Sequence, residues 1–302
     1  MRPSCGNSCT RRKDEVNLVN RSIVVGVDHS APSQAALDWA MRRAERMKSD
    51  VTLVHVVNDY WVAEEYAYYD RVMESARGLL EKAAARAGEI APGVSVRTEL
   101  RNGEIVRVLS DLSEDAALVV VGTDKKGRIE GEIFGTVSLQ VATMSLSPVA
   151  VIPLMPPDAR SGVVVGVDGS EHSLDAVSFA AAEADRSGQD LHVVYACRIP
   201  NPWILRDIPE ESITKRIEEE EKVVLAESVA GLTDRYPDLV VHQHLETEQF
   251  PAKALVTAAA NAQLLVVGSR GRGALKRLLM GSVSHEVLLH IPCPTVVTRI
   301  RD

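Results

Sequence analysis

The feature that most constrains this chain is that it reads itself twice. Residues 23–30 are IVVGVDHS and residues 163–170 are VVVGVDGS, so Asp28 and Asp168 correspond at an offset of 140. The offset holds for Ser30/Ser170, Ser33/Ser173, Ala36/Ala176, Ala40/Ala180, Asp50/Asp190 and Val54/Val194. It becomes 146 where VVVGT (119–123) meets LVVGS (265–269), which implies a few inserted residues in an intervening loop. A repeat one domain long means duplicated domains and not a solenoid of short units. At 302 residues the chain has room for two such domains, each burying its own core. The Pro/Gly-rich stretch between Pro153 and Gly162 reads as the linker. The expected organisation is a disordered polar tail at 1–20 and domains at 21–155 and 162–302.

Within each half, β-branched runs alternate with longer segments of helical period, the pattern of a parallel sheet with helices on both faces. Strands are expected near 22–28, 51–57, 94–100, 117–122 and 148–153, with helices near 31–47, 63–87, 103–115 and 135–145. In the second half strands fall near 163–168, 191–196, 239–245, 263–268 and 294–300, with helices near 171–187, 209–231, 251–260 and 281–290. The fold class is therefore α/β, as two tandem five-stranded parallel-sheet domains. Right-handed crossovers put the strand C-termini on one edge, and ligands in open sheets of this kind bind there.

Composition narrows the class further. With 45% hydrophobic and 25% charged residues the chain is globular, and no apolar run approaches the roughly 20 residues of a spanning helix, so no membrane role is expected. The N-terminus lacks the apolar segment of a signal peptide, and the expected location is cytoplasmic. A formal charge of −8 argues against nucleic acid as a partner. Four scattered cysteines make no disulfide framework, and Cys5 with Cys9 lacks a second ligand pair and is read as part of the tail.

The segment GSRGRGALKRLLMGSVS follows the fourth strand of the second half. Gly268 and Gly271 permit a tight turn and a close backbone approach, and Gly281-Ser282, followed by Val283, opens a helix whose unpaired N–H groups favour an anion. Arg270, Arg272, Lys276 and Arg277 add four cations to this loop, which suits a triphosphate.

The strand-GVDGS segment, the Gly268-x2-Gly271-x9-Gly281-Ser282 spacing and the tandem arrangement together resemble the universal stress protein family. The resemblance implies sheets of order 3-2-1-4-5 in an adenine-nucleotide α-hydrolase-like fold, which often bind ATP and use the last strand or its surroundings to dimerise. It implies that the glycine loop holds ribose and phosphates, that Asp168 lies beside the nucleoside and that backbone at Ala196 meets adenine. The first half offers Asp28, Val56, Gly122, Gly135 and Thr136 at the matching positions, but Asp124 and Lys125 stand where the second half has Arg270 and Gly271. If the backbone there has positive φ, Lys125 costs roughly 1–2 kcal/mol relative to glycine, and Asp124, Glu130 and Glu132 repel phosphate, although Gly127 offers the loop another path. The C-terminal site is expected to be the stronger.

Each Asp after its strand also has a plainer reading as a helix cap, but a Ser two residues on can cap instead and free the carboxylate for ligand. His242 and His244 are two apart on one strand and lack a third ligand in the sequence, so they read as a solvated or packed pair. His285 and His290 read as ordinary helix residues, and RIEEEEK (216–222) as a solvated helix face. No Walker motif, kinase Asp/Asn pair or nucleophile triad is present. The leading expectation is a non-enzymatic stress regulator that binds ATP with Mg, pairs its two domains as a pseudo-dimer, forms a homodimer and acts on unknown protein partners. A slow ATP hydrolase or adenylate-handling enzyme and a non-binding dimeric scaffold are the alternatives.

Overall fold

The structure is a computed structural model that describes residues 22–58, 66–124, 136–156, 160–197, 210–272 and 280–300. The expected tail with Cys5 and Cys9 lies outside the described residues, as do Lys125, Gly127, Glu130, Glu132, Gly135, Lys276 and Arg277.

In the first half the elements run β1 (Ile23–Gly26), α1 (Ala31–Met47), β2 (Val51–Val57), α2 (Tyr66–Ile90), β3 (Val96–Asn102), α3 (Ile105–Leu112), β4 (Leu118–Thr123), α4 (Thr136–Met144) and β5 (Val149–Pro153). The second half runs β6 (Val163–Val167), α5 (Glu171–Ser187), β7 (Leu191–Ala196), α6 (Glu210–Ser228), α7 (Leu232–Arg235), β8 (Val241–Glu246), α8 (Pro251–Ala258), β9 (Leu264–Gly268), α9 (Ser282–Leu289) and β10 (Thr295–Thr298). The short α7 was not expected: α6 stops at Ser228, and Gly231, at φ 77, is the N-cap from which the chain restarts as α7. The expected helix at 103–115 begins later, because Gly103 adopts φ 132 and Glu104 caps α3 by accepting from Val106 N and Arg107 N.

By contacts the chain divides into two compact units, Met1–Gly122 with Ser145–Pro148, and Thr123–Met144 with Val149–Asp302. In the first, β1 pairs in parallel with β2 (Ile23↔Val51) and β4 (Ile23↔Leu118), and β2 with β3 (Val51↔Val96). The strand order of this repeat is 3-2-1-4-5. Its middle strands are apolar and buried, whereas edge strand β3, VRTELRN, is half-exposed and charged, which blunts an open edge.

The second unit repeats the pattern, with β6 parallel to β7 (Val163↔Leu191) and β9 (Val163↔Leu264), β7 to β8 (Leu191↔Val241), and β9 to β10 (Leu265↔Thr295). It also takes in β5, antiparallel to β10 with Val296 opposite Ala150. That antiparallel pair is an addition to the parallel sheet expected from the sequence.

Helices α1 and α5 start and stop alike. Ser30 and Ser170 cap them by accepting from Ser33 N and Ser173 N. Each ends on a left-handed residue, Lys48 at φ 52 and Gly188 at φ 62, with the following N–H reaching back to Ala44 O and Ala184 O. Helix starts also explain two glycines at the ends of β4 and β9. A Cβ on Gly122 would collide with the Pro32 backbone, and one on Gly268 would come within 2.8 Å of His172 O, so both let the first turn of α1 or α5 lie on the strand end.

Candidate functional site

The C-terminal edge of the second unit's sheet holds a cavity of about 320 Å³. Its floor is apolar: Val167 from β6, Val194 and Ala196 from β7, Val267 from β9, and Pro251 and Leu255 from α8. Gly166 admits Leu255, since a Cβ there would lie 2.8 Å from Leu255 Cδ1. The rim is polar: Asp168 after β6, Gly268, Arg270, Gly271 and Arg272 after β9, and Gly281, Ser282, Val283 and Ser284 at the start of α9. Asp168, Ala196, Gly268, Arg270, Gly271, Arg272, Gly281, Ser282 and Val283, all named from the sequence, therefore line one cavity, while Lys276 and Arg277 lie outside the described residues. Gly166, Val167, Ser173, Val194, Val267 and Ser284, with Pro251 and Leu255 of α8, were not named for the site, although the GVDGS segment already carried Gly166 and Val167; nothing in PAKAL marked the other wall.

Asp168 corrects an expectation. Its carboxylate is not left free by Ser170: Oδ1 accepts from Ser170 N at 3.0 Å and Oδ2 from Arg272 N at 2.7 Å, so the side chain ties the glycine loop to the end of β6. Burial pushes its pKa up, but hydrogen bonds from Ser170, Arg272 N–H and Ser173 outweigh this and hold the carboxyl below its usual range. The reason for Gly271 also differs from positive φ, which it does not have. A Cβ at Gly271 would run into Asp168 Oδ2.

The opposite wall is a helix start without a side-chain cap. Gly281 is the N-cap of α9, its N–H bonded to Ser269 O at 2.7 Å, and Ser284 Oγ also donates to Ser269 O at 3.2 Å. These bonds fix the helix start beside the loop, while the absence of a capping side chain leaves first-turn amides to a ligand.

The charge around the cavity is cationic. Arg270 Nε is buried without a hydrogen-bond partner. Burial, and then repulsion from Arg270, lowers the Arg299 pKa to about 10, while Arg299 Nη2 donates to Ala142 O at 2.5 Å and Thr143 O at 2.6 Å. Burial, followed by Arg270 and Arg299, also lowers the pKa of His172. Arg272 lies over Gly169, whose missing side chain makes room for the guanidinium, and its Nη1 is 3.5 Å from Tyr195 Oη. The Tyr195 hydroxyl is raised by burial and by its bond to Glu221. Glu221 thus departs from the solvated face expected for 216–222, which Arg216 and Glu220 do follow with an exposed pair at 3.0 Å.

In the first repeat Asp28 follows β1 and is exposed, with Oδ1 accepting from Ser30 N at 2.8 Å. Val56 lies in β2, Gly122 in β4 and Thr136 opens α4, while Gly135 lies outside the described residues.

The model of the universal stress protein family matches residues 20–153 and 161–299. The chain belongs to that family. A universal stress protein of Mycolicibacterium smegmatis is 38% identical over 293 residues, covering 92% of this chain and 97% of that protein. Universal stress protein Rv1996 of Mycobacterium tuberculosis is 36% identical over 304 residues, covering 93% and 96%. In fold, the chain matches a universal stress protein from Archaeoglobus fulgidus with a TM-score of 0.65 at 21% identity, covering 93% of this chain and 97% of that one. Among the described residues no helix is long and apolar enough to cross a membrane.

Proposed function

We propose that this universal stress protein binds ATP, with the magnesium the triphosphate carries, in its C-terminal cavity and acts as a nucleotide-dependent regulator in a stress response. The observation that carries this reading is the meeting of an apolar slot with a cationic, amide-rich rim in one cavity. Val167, Val194, Ala196 and Leu255 suit a flat base, and such mostly apolar pockets with a few placed polar groups are the usual form of small-ligand sites. Arg270, with its buried and unpartnered Nε, Arg272, Ser282 and the uncapped start of α9 suit a polyphosphate. Gly268 and Gly271 let the loop lie against the start of α5 and the Asp168 carboxylate, at the rim of the same cavity.

Binding is favoured over turnover because Asp168, the acidic group in the cavity, is a poor base. It is held ionised, and each oxygen already accepts a backbone N–H. In this reading the first repeat is the weaker site, the protein is cytoplasmic, and occupancy alters the choice of a partner protein. The reading further takes the chain to be an in-chain pseudo-dimer of two like domains and a homodimer, the kind of assembly that copies of one domain form. The test is calorimetry of the folded full chain with Mg-ATP, with analysis of nucleotide carried through purification and a phosphate-release assay. The expected result is heat of binding and bound adenine nucleotide with slow or no release. Absence of heat in a folded sample removes the reading, and fast release replaces regulator with hydrolase.

A further inference from the structure

Two residues before the cavity-lining Val194, on the same side of β7 as Val194 and Ala196, three of the chain's eight histidines meet. The β7–β8 register sets His192 opposite His242, and His244 opposite Val194. The strand alternation then puts all three imidazoles on one face. The rings of His192 and His242 stack with centroids 4.7 Å apart, and those of His192 and His244 at 5.3 Å. His192 Nδ1 stands 3.1 Å from His244 Nε2, while His242 Nε2 is 2.8 Å from Asp190 Oδ2. The third imidazole missing from the sequence pattern is therefore supplied by the neighbouring strand.

We propose that His192 Nδ1 and His244 Nε2 form a two-imidazole clamp for a divalent transition-metal ion of the zinc or copper(II) class. Two nitrogens bound to one ion at about 2.0–2.1 Å stand roughly 2.9 Å apart at a right angle and roughly 3.3 Å apart at the tetrahedral angle. The observed 3.1 Å falls between the two. Gly162, at φ 80, lies beside the Cδ2–Nε2 edge of His192, where a Cβ would come within 3.1 Å of Cδ2 and 3.2 Å of Nε2, while Nδ1 is the nitrogen turned towards His244. The His242 ring, anchored by Asp190, backs His192 from the other side as a positioning residue. No set of three or more donors suited to a metal exists among the described residues, so water completes the shell and the ion exchanges freely. The clamp belongs to the second repeat alone, since the same register in the first sets Thr52 opposite Arg97 and Val54 opposite Glu99.

The test is a calorimetric titration of the full chain with Zn²⁺ in the absence of nucleotide, in a Cys5→Ser/Cys9→Ser background that removes the tail thiols. One ion per chain is expected, with His192→Gln and His244→Gln each weakening it about tenfold or more and His242→Gln weakening it less. Copper(II) bound to the unsubstituted background, read by electron paramagnetic resonance, is expected to show two nitrogen donors. No heat with Zn²⁺, unchanged affinity in both single variants, or a copper spectrum with fewer than two nitrogens overturns the proposal and leaves a stacked, hydrogen-bonded imidazole ladder. The copper measurement needs no histidine variant and so stands whether or not the variants fold.

Discussion

At the scale of residues, the glycines of the phosphate-type motif have separate jobs. Gly268 yields to a helix backbone, because its absent Cβ would meet His172 O, whereas Gly271 yields to a single carboxylate, that of Asp168. Gly268→Ala is therefore expected to lower the stability of the whole unit more than Gly271→Ala in denaturant unfolding, since a main-chain carbonyl on a packed helix cannot step aside. Gly271→Ala is expected to leave the fold intact, break the Asp168–Arg272 tie and weaken Mg-ATP about tenfold or more in calorimetry. Asp168 itself gives a pH prediction. Its folded pKa lies below the ordinary 3.8, so its stabilisation is fully present above 3.8 and lost as pH falls through the lower folded value. Urea unfolding of wild type and Asp168→Ala at stepped pH is expected to show a gap of roughly 1.5–3 kcal/mol from neutral pH down to about 4. The gap then shrinks with further acid; a gap that widens below pH 4 contradicts the assignment.

At the scale of elements, the two repeats act as controls for each other. Lys48 and Gly188 end equivalent helices in the same left-handed conformation, and Lys48 is the one non-glycine residue with positive φ among those described. A side chain pays there a steric cost of roughly 1–2 kcal/mol, partly offset by the lower chain entropy it loses on folding. Lys48→Gly is expected to stabilise the protein by roughly 0.5–1 kcal/mol, measured as an upward shift of the denaturation midpoint without change in slope. Such elements also show what the sequence makes legible. Strands β2 and β7 and helices α1 and α5 were readable to the residue, because their bounds are set locally by alternation, Ser caps and a left-handed stop. The start of α3 was not, because Glu is an uncommon cap. The β5–β10 pair was not either, because pairing between distant strands leaves no local trace in either one. In the site, spacing and charge picked out the loop and helix start. They could not reveal that Asp168 is spent on holding the loop, nor that His192 joins His242 and His244, since both depend on contacts between strands or loops far apart in sequence.

At the scale of the whole molecule, duplication has produced two repeats whose matching loops differ in charge and in glycine content. In the second repeat the loop is tied to its aspartate through Arg272 N, an arrangement that requires no Cβ at 271. The first repeat carries Lys125 at that position, and a loop on the same path would drive its Cβ into the carboxylate of Asp28. It also carries Asp124 where the second repeat has Arg270, an exchange of a cation for an anion. The full chain is thus expected to bind between one and two adenine nucleotides, the first more tightly. Gly281 offers a clean means of telling them apart. It sits at φ −77, and a Cβ there would find its nearest neighbour, Arg270 Cα, at 3.4 Å, so Gly281→Ala is compatible with the fold while placing a methyl group at the ligand's helix end. Calorimetry of Gly281→Ala is expected to lose the tight phase and keep the weak one, and Gly135→Ala to do the reverse. Equal losses from the two substitutions would mean that the repeats bind alike, and that the exchange of Arg270-Gly271 for Asp124-Lys125 is without consequence for the nucleotide.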